Sequence, residues 1–342
     1  MFSNLKPAFS RTLLILLCTV FTTTACAVSE SHEGPGDRGP ALTADHVIAH
    51  DGYRLPLHTW TTENEPRGIV LALHGFNDYG NAFSVLSEGF NTQGFNLYAY
   101  DQRGFGATDP AGIWPGQDKL VKDAITTLNL LRQRYPEQPL YLMGKSMGGG
   151  ISILALTAEE PADVDGSILI APAVWSPDTM PWYQRFSLWV GAGVAPGLSL
   201  SVNLGQRLGI RASDDDAVLQ SLAEDPLVQG ESRVDTIDGL AELMGAALEA
   251  SHTLPGPSLI LYGDEDHIIP PEPFCHLLDR LPDPAEKLWR MVVYPDGYHM
   301  LTRYSGSEQV HEDILAFISD PGGALPSGHE RNRAEAKAIL CD

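Results

Sequence analysis

Four short segments of this 342-residue chain carry the residue types that nucleophilic acyl transfer requires. Gly144-Lys145-Ser146-Met147-Gly148 follows the apolar run Leu140–Met143 and opens a helix signal over Met147–Ala158. A serine between strand and helix, flanked by small residues, is the setting of a nucleophile elbow. The turn there is strained, neighbouring backbones approach closely, and the hydroxyl is lifted above the sheet. Such a hydroxyl needs a base, and the base needs an orienting acid. Gly263-Asp264-Glu265-Asp266-His267 supplies carboxylates after the run Ser258–Tyr262, and His299 follows the run Leu288–Tyr294. His276 and His311 fall inside helix signals and His329 in the tail, so order and context fit Ser146, Asp266 and His299. The fourth segment, His74-Gly75-Phe76-Asn77-Asp78, follows Gly68–Leu73. A developing oxyanion needs preorganised donors, and the backbone amides of Phe76 and Met147 are the candidates. His74 reads as a residue that orders its loop.

The elements that position these segments alternate. Asp45–His50 and Arg54–Thr61 flank Asp51-Gly52 as a hairpin. Strands at 68–73, 95–100, 140–143 and 167–170 are separated by helices near 83–90, 120–131 and 147–158, which predicts an α/β fold with a mostly parallel sheet and helices on both faces. The rhythm breaks from Pro172 to Leu254, where no clear strand is read. An insertion of that length is too long for a plain loop, so a helical cap is expected. The resulting division is a signal over 1–27, a Gly/Pro-rich tether over 28–44, a core of 45–171 and 255–320, a cap of 172–254 and a polar tail of 321–342.

The chain carries 22 basic and 44 acidic side chains, a net charge of −22. Little positive charge is left to displace counterions from a phosphate backbone, so no nucleic-acid partner is expected. Nor is long-range attraction to an anionic membrane, so membrane contact must be apolar or covalent. Residues 1–27 combine Lys6 and Arg11 with the short apolar run Thr12–Phe21 and small residues behind it, which reads as a bacterial export signal. Thr23-Thr24-Ala25-Cys26 resembles a lipoprotein processing site that would leave Cys26 acylated, although Thr23 stands where Leu is usual. Ala25-Cys26-Ala27 also suits ordinary signal cleavage. The expected location is the bacterial cell envelope, lipid-anchored or else periplasmic or secreted. Cys275 and Cys341 can there pair or stay free. No Cys-x-x-Cys spacing occurs, and His46, His50 and His58 read as surface residues, so neither metal nor cofactor is expected.

HGFND, DQRGFG at Asp101–Gly106, GKSMGG at Gly144–Gly149, GDEDHIIP and DGYHML together resemble the α/β-hydrolase superfamily. Within it they are most similar to monoacylglycerol lipases and lysophospholipases, the serine aminopeptidase-like hydrolases. The resemblance spans about Val47 to Ser319. It implies the α/β-hydrolase fold, an acyl-enzyme on Ser146, and an acid at the Gly-x-x-Asp position, Asp266, with Asp264 as the fallback. The serine argues against the aspartate-based dehalogenase and epoxide hydrolase chemistry of other relatives. One departure is Lys145, where members often carry His.

Substrate information is confined to the cap. Trp182, Phe186 and Trp189 share a helical face after Pro181, and Ile237, Leu240, Met244, Ala247 and Leu248 form a second apolar stripe. Trp182, Phe186 and Met244 are the candidate acyl contacts. Ser213 before Asp214-Asp215-Asp216 marks a helix start. The absence of a basic cluster favours monoacylglycerol or another neutral ester over lysophospholipid. Two alternatives stand beside this exported ester hydrolase. One is an aminopeptidase, with Asp214–Asp216 and Glu224-Asp225 holding the substrate ammonium. The other is a surface lipoprotein that binds a partner without catalysis, although no protein partner is implied.

Overall fold

The computed structural model describes residues 32–176, 190–201, 210–286 and 288–341. The strands are Ala41–Leu42 (β1), His46–Ile48 (β2), Arg54–Trp60 (β3), Gly68–Leu73 (β4), Phe95–Tyr100 (β5), Leu140–Lys145 (β6), Gly166–Ile170 (β7), Ser199–Ser201 (β8), Glu231–Arg233 (β9), Ser258–Gly263 (β10), Trp289–Tyr294 (β11) and Glu330–Arg331 (β12). The principal helices are Ser84–Thr92 (α1), Gln117–Arg134 (α2), Met147–Leu156 (α3), Asp216–Glu224 (α4), Val234–Ala250 (α5), Pro271–Arg280 (α6), Ser307–Ser319 (α7) and Arg333–Leu340 (α8).

Ten strands form one sheet in the order β1-β2-β3-β5-β4-β6-β7-β10-β11-β12. From β5 to β11 every pairing is parallel, while β1, β2, β3 and β12 run antiparallel at the two ends. The continuous apolar runs follow from this arrangement, because a parallel strand covered on both faces has no wet side. Ile69, Leu71 and Leu73 of β4 join one core with α2, α3 and α6, whereas Val70 and Ala72 join the other with α1 and α7. Parallel alignment brings the carboxyl ends of β4, β6, β10 and β11 to one edge, the edge at which ligands bind in open α/β sheets.

Four findings depart from the expectations above. The 32–44 stretch is not a free tether: Gly34 N–H donates to Asp51 Oδ2 (3.1 Å), and β1 pairs with β2. The buried Arg103 guanidinium donates to Asp51, Asp123 and the His32 carbonyl, locking this segment to the core. Between the neighbouring strands β7 and β10 the chain makes a long excursion that does contain strands. There β8 and β9 pair antiparallel, and their mostly polar residues show no apolar alternation to betray them. The cap of α4 is Asp215, which accepts from the Ala217 and Val218 amides, while the Ser213 hydroxyl donates to the Arg303 carbonyl. Finally, the tail does more than form the short Ala/Glu/Lys helix its sequence allows: it is docked on the core. Helix α8 opens with a capping box between Asn332 and Glu335, β12 adds to β11, and a Cys275–Cys341 disulfide fastens the tail to α6.

Candidate active site

Ser146 stands between β6 and α3 with φ 53° and ψ −118°, a left-handed conformation that costs a non-glycine residue roughly 1–3 kcal/mol and persists only where surroundings enforce it. Its N–H donates to Ile170 O (2.9 Å), and its carbonyl accepts from Gly150 N (3.1 Å) and Ala173 N (2.9 Å). A Cβ on Gly148 would lie 2.1 Å from the Leu73 carbonyl oxygen, so only glycine lets α3 begin this close to β4. The small residues of the segment permit the elbow, and contacts with β4, β7 and the residues after β7 hold it.

His299 and Asp266 come from the loops that follow β11 and β10. The imidazole Nδ1 lies 2.7 Å from Asp266 Oδ2, and Asp266 Oδ1 accepts from the amides of Ile268 (2.8 Å) and Ile269 (2.9 Å). Both carboxylate oxygens are thus committed and the carboxylate has one orientation. The loops are pinned to each other by Glu265 N–H donating to Gly297 O (3.0 Å). A Cβ on Gly263 would meet that same oxygen at 2.1 Å, which explains the small residue at this crossing. The fallback acid Asp264 takes no part in the His299 contact. Burial and the neighbouring Asp296 and Glu265 charges push its carboxyl up.

Phe76 follows β4 in a turn closed by Asp78 N–H donating to Gly75 O (3.2 Å), with Asn77 at φ 63°. Met147 is the first residue of α3, so its N–H has no intrahelical acceptor. His74 is buried, and its Nε2 accepts from Gln102 N–H (2.9 Å), which fixes the proton on Nδ1, donating to Gly75 O (2.8 Å). Burial pushes its pKa down and keeps it neutral. It orders the loop, as its position implied. Among the described residues no group of three or more His, Cys, Asp or Glu side chains is arranged to hold a metal ion.

A cavity of about 730 Å³ opens onto Ser146, His299 and Phe76. Leu200, Leu219, Leu222, Ile237, Leu240 and Met244 give it an apolar wall, so the α5 stripe contributes three of its expected residues. Ala247 of the same stripe instead packs on α3 near Gly150. Trp182, Phe186 and Cys26 lie outside the described residues. Polar lining comes from Asn77, Asp78, Lys145, Glu224 and Asp225. Asp214 is turned away to Ser305, whose N–H and hydroxyl both donate to it. His58, expected at the surface, is partly buried and bonded to Asp101 (2.8 Å).

Sequence reasoning missed Arg303, which donates to Asp78 Oδ2, the same oxygen that lies 3.4 Å from Lys145 Nζ. Its only signal was a position four residues after His299. Burial and the Arg303 cation lower Lys145 to about 7 against the pull of Asp78. Burial pushes Asp78 up, but Lys145 and Arg303 outweigh it and hold the carboxyl below its ordinary value.

The chain is similar to known proteins along most of its length. A family profile described as serine aminopeptidase, S33, matches residues 64–304, more than two thirds of the chain. A monoacylglycerol lipase of Mycolicibacterium smegmatis is 27% identical over 269 residues, covering 78% of this chain and 93% of that protein. Monoglyceride lipase of Rattus norvegicus is 26% identical over 267 residues, covering 77% and 85%. The crystal structure of a soluble variant of Saccharomyces cerevisiae monoglyceride lipase with a substrate analog is 22% identical. It superposes with a TM-score of 0.67 over 83% of this chain and 98% of that one, a likeness of fold. The chain belongs to the serine aminopeptidase S33 family of α/β-hydrolases and is similar to monoacylglycerol lipases.

Proposed function

We propose that the protein is an exported serine hydrolase that cleaves monoacylglycerol or a similar neutral acyl ester through Ser146, His299 and Asp266. The observation that carries this reading is the 2.7 Å contact between His299 Nδ1 and Asp266 Oδ2, with His299 and Ser146 on one cavity. Donation from Nδ1 to the carboxylate leaves Nε2 as the basic nitrogen. It would take the Ser146 proton as Oγ attacks the ester carbonyl, then return it to the leaving alcohol. The Phe76 and Met147 amides would hold the oxyanion, and water would clear the acyl-enzyme by the same route.

The apolar wall suits an acyl chain. Four charged side chains line the cavity, Asp78, Lys145, Glu224 and Asp225, and their acidic surplus disfavours an anionic phosphate head group. A monoacylglycerol substrate is also what the named relatives suggest. The same Glu224 and Asp225 favour the second reading, an aminopeptidase holding a substrate ammonium. Export and acylation of Cys26 rest on the sequence of residues 1–27. The Cys275–Cys341 disulfide supports an oxidising compartment.

The test is acid or amine release from monooleoylglycerol, short p-nitrophenyl esters and an aminoacyl anilide, with Ser146→Ala beside the wild type. Ser146-dependent preference for monooleoylglycerol is expected. Preference for the anilide would favour the peptidase. Failure of a fluorophosphonate to label Ser146 would revive the non-catalytic reading.

A further inference from the structure

The acyl-transfer scheme leaves Lys145 without a task, although it directly precedes the nucleophile and is only 3% exposed. Its Nζ lies 3.4 Å from Asp78 Oδ2, and Arg303 donates to that same oxygen. A buried and a mostly buried cation therefore share one carboxylate, an arrangement that is a poor source of stability.

Its placement suggests a different use. Asp78 belongs to the turn that presents the Phe76 amide. Asp78 N–H closes that turn on Gly75 O, and Asp78 Oδ1 accepts from Tyr79 N–H (3.0 Å). Asn77, between Phe76 and Asp78, sits at φ 63° and is held from outside. Its carbonyl accepts from Gln229 N–H (2.9 Å), and its Nδ2 donates to Ser232 Oγ (2.8 Å). Across the gap, Lys145 leads into Ser146 at φ 53° and the Met147 amide beyond it. The Lys145–Asp78 contact is thus a tie between two strained turns, each carrying one of the two amides assigned to the oxyanion. Arg303 attaches the same carboxylate to the loop that follows His299.

We propose that Lys145 is a positioning residue that, through Asp78, sets the spacing between the Phe76 and Met147 amides. It rests on the ester-hydrolase reading of Ser146. Donors aimed at an oxyanion act only when charge develops there, so a shift in their spacing lowers kcat while leaving ground-state binding alone. Lys145→Met keeps most of the length and an apolar stem and leaves Asp78 paired with Arg303, so the fold survives. Lys145→Arg keeps a cationic donor to Asp78.

The experiment measures kcat and KM on p-nitrophenyl butyrate, together with thermal midpoints, for the wild type, both Lys145 variants and Ser146→Ala. Lys145→Met is expected to lose about 10- to 100-fold in kcat with KM within about twofold, since small misplacements of reacting groups cost on this scale. Its thermal midpoint is expected to hold or rise, while Lys145→Arg recovers most of kcat. Wild-type kcat in Lys145→Met would overturn the proposal. So would a joint fall in kcat and midpoint, which marks general structural support, or a rise in KM alone, which marks direct substrate contact. A wild type no faster than Ser146→Ala would instead sink the ester-hydrolase reading, and this proposal with it.

Discussion

Asp266 and His299, 33 residues apart in sequence, meet at 2.7 Å because their loops leave adjacent parallel strands and are pinned by a Glu265 to Gly297 backbone hydrogen bond. Asp266→Asn removes the charge that orients and stabilises the imidazolium while preserving shape. A loss of about 10³- to 10⁴-fold in kcat is expected, comparable with Ser146→Ala and not additive with it. Single and double variants assayed on p-nitrophenyl butyrate check this. A loss under tenfold would transfer the orienting role to another group.

Met244 lies on the apolar wall of the cavity, on the helix Val234–Ala250. Met244→Trp fills acyl space without approaching the reacting atoms. It is expected to lower kcat/KM for monooleoylglycerol by about tenfold or more relative to p-nitrophenyl acetate, the scale on which pocket shape discriminates apolar chains. Equal effects on both substrates would place the acyl chain elsewhere.

Arg103 is fully buried and donates to Asp51 and Asp123, with the Tyr53 ring 4.4 Å from its guanidinium carbon. Arg103→Met leaves two carboxylates facing each other without a cation. Destabilisation of about 3–5 kcal/mol is expected, the usual consequence of breaking a buried pair from one side. Urea unfolding measures it, and restoration by Asp51→Asn in the same chain would confirm the cause.

Asp101 carries the acid sensitivity of the loop following Phe95–Tyr100. Burial pushes its carboxyl up, but hydrogen bonds from His58 and the Ala107 and Gly80 amides outweigh that and hold it below the ordinary 3.8. A carboxyl lowered on folding contributes stability above its unfolded pKa and loses it as pH falls through the folded one. Asp101→Asn is therefore expected to be less stable than the wild type near pH 7, with the gap closing below about pH 3.8. Denaturation midpoints across that range test it, and a gap independent of pH would rule out the charge as the cause.

The Cys275–Cys341 disulfide closes a 66-residue separation and holds the C-terminal helix Arg333–Leu340 on Pro271–Arg280. Cys341→Ser is expected to cost about 2–4 kcal/mol, typical for a closed loop of this kind. It should leave kcat nearly unchanged, since no described residue of the tail lines the cavity at Ser146. Wild-type stability in the variant would mean the tail docks without the bond.

Much of the site was legible because its parts are local. Ser146 is announced by the small residues that its strained turn needs, and the strands by unbroken apolar runs such as Gly68–Leu73. Order along the chain then paired Ser146 with Asp266 and His299, since each follows a strand of one parallel sheet. The sequence by itself determined these residue types, the sheet they end, and the acidic character of the chain. Only the tertiary structure decided which atoms meet. Lys145, Asp78 and Arg303 are joined across more than two hundred residues, and no periodicity signals a contact between two loops and the end of a strand. The pairing of Ser199–Ser201 with Glu231–Arg233 and the docking of the tail were hidden for the same reason. Short exposed strands and surface-docked segments bury too little apolar surface to leave a pattern, so their partners are chosen by the folded core around them.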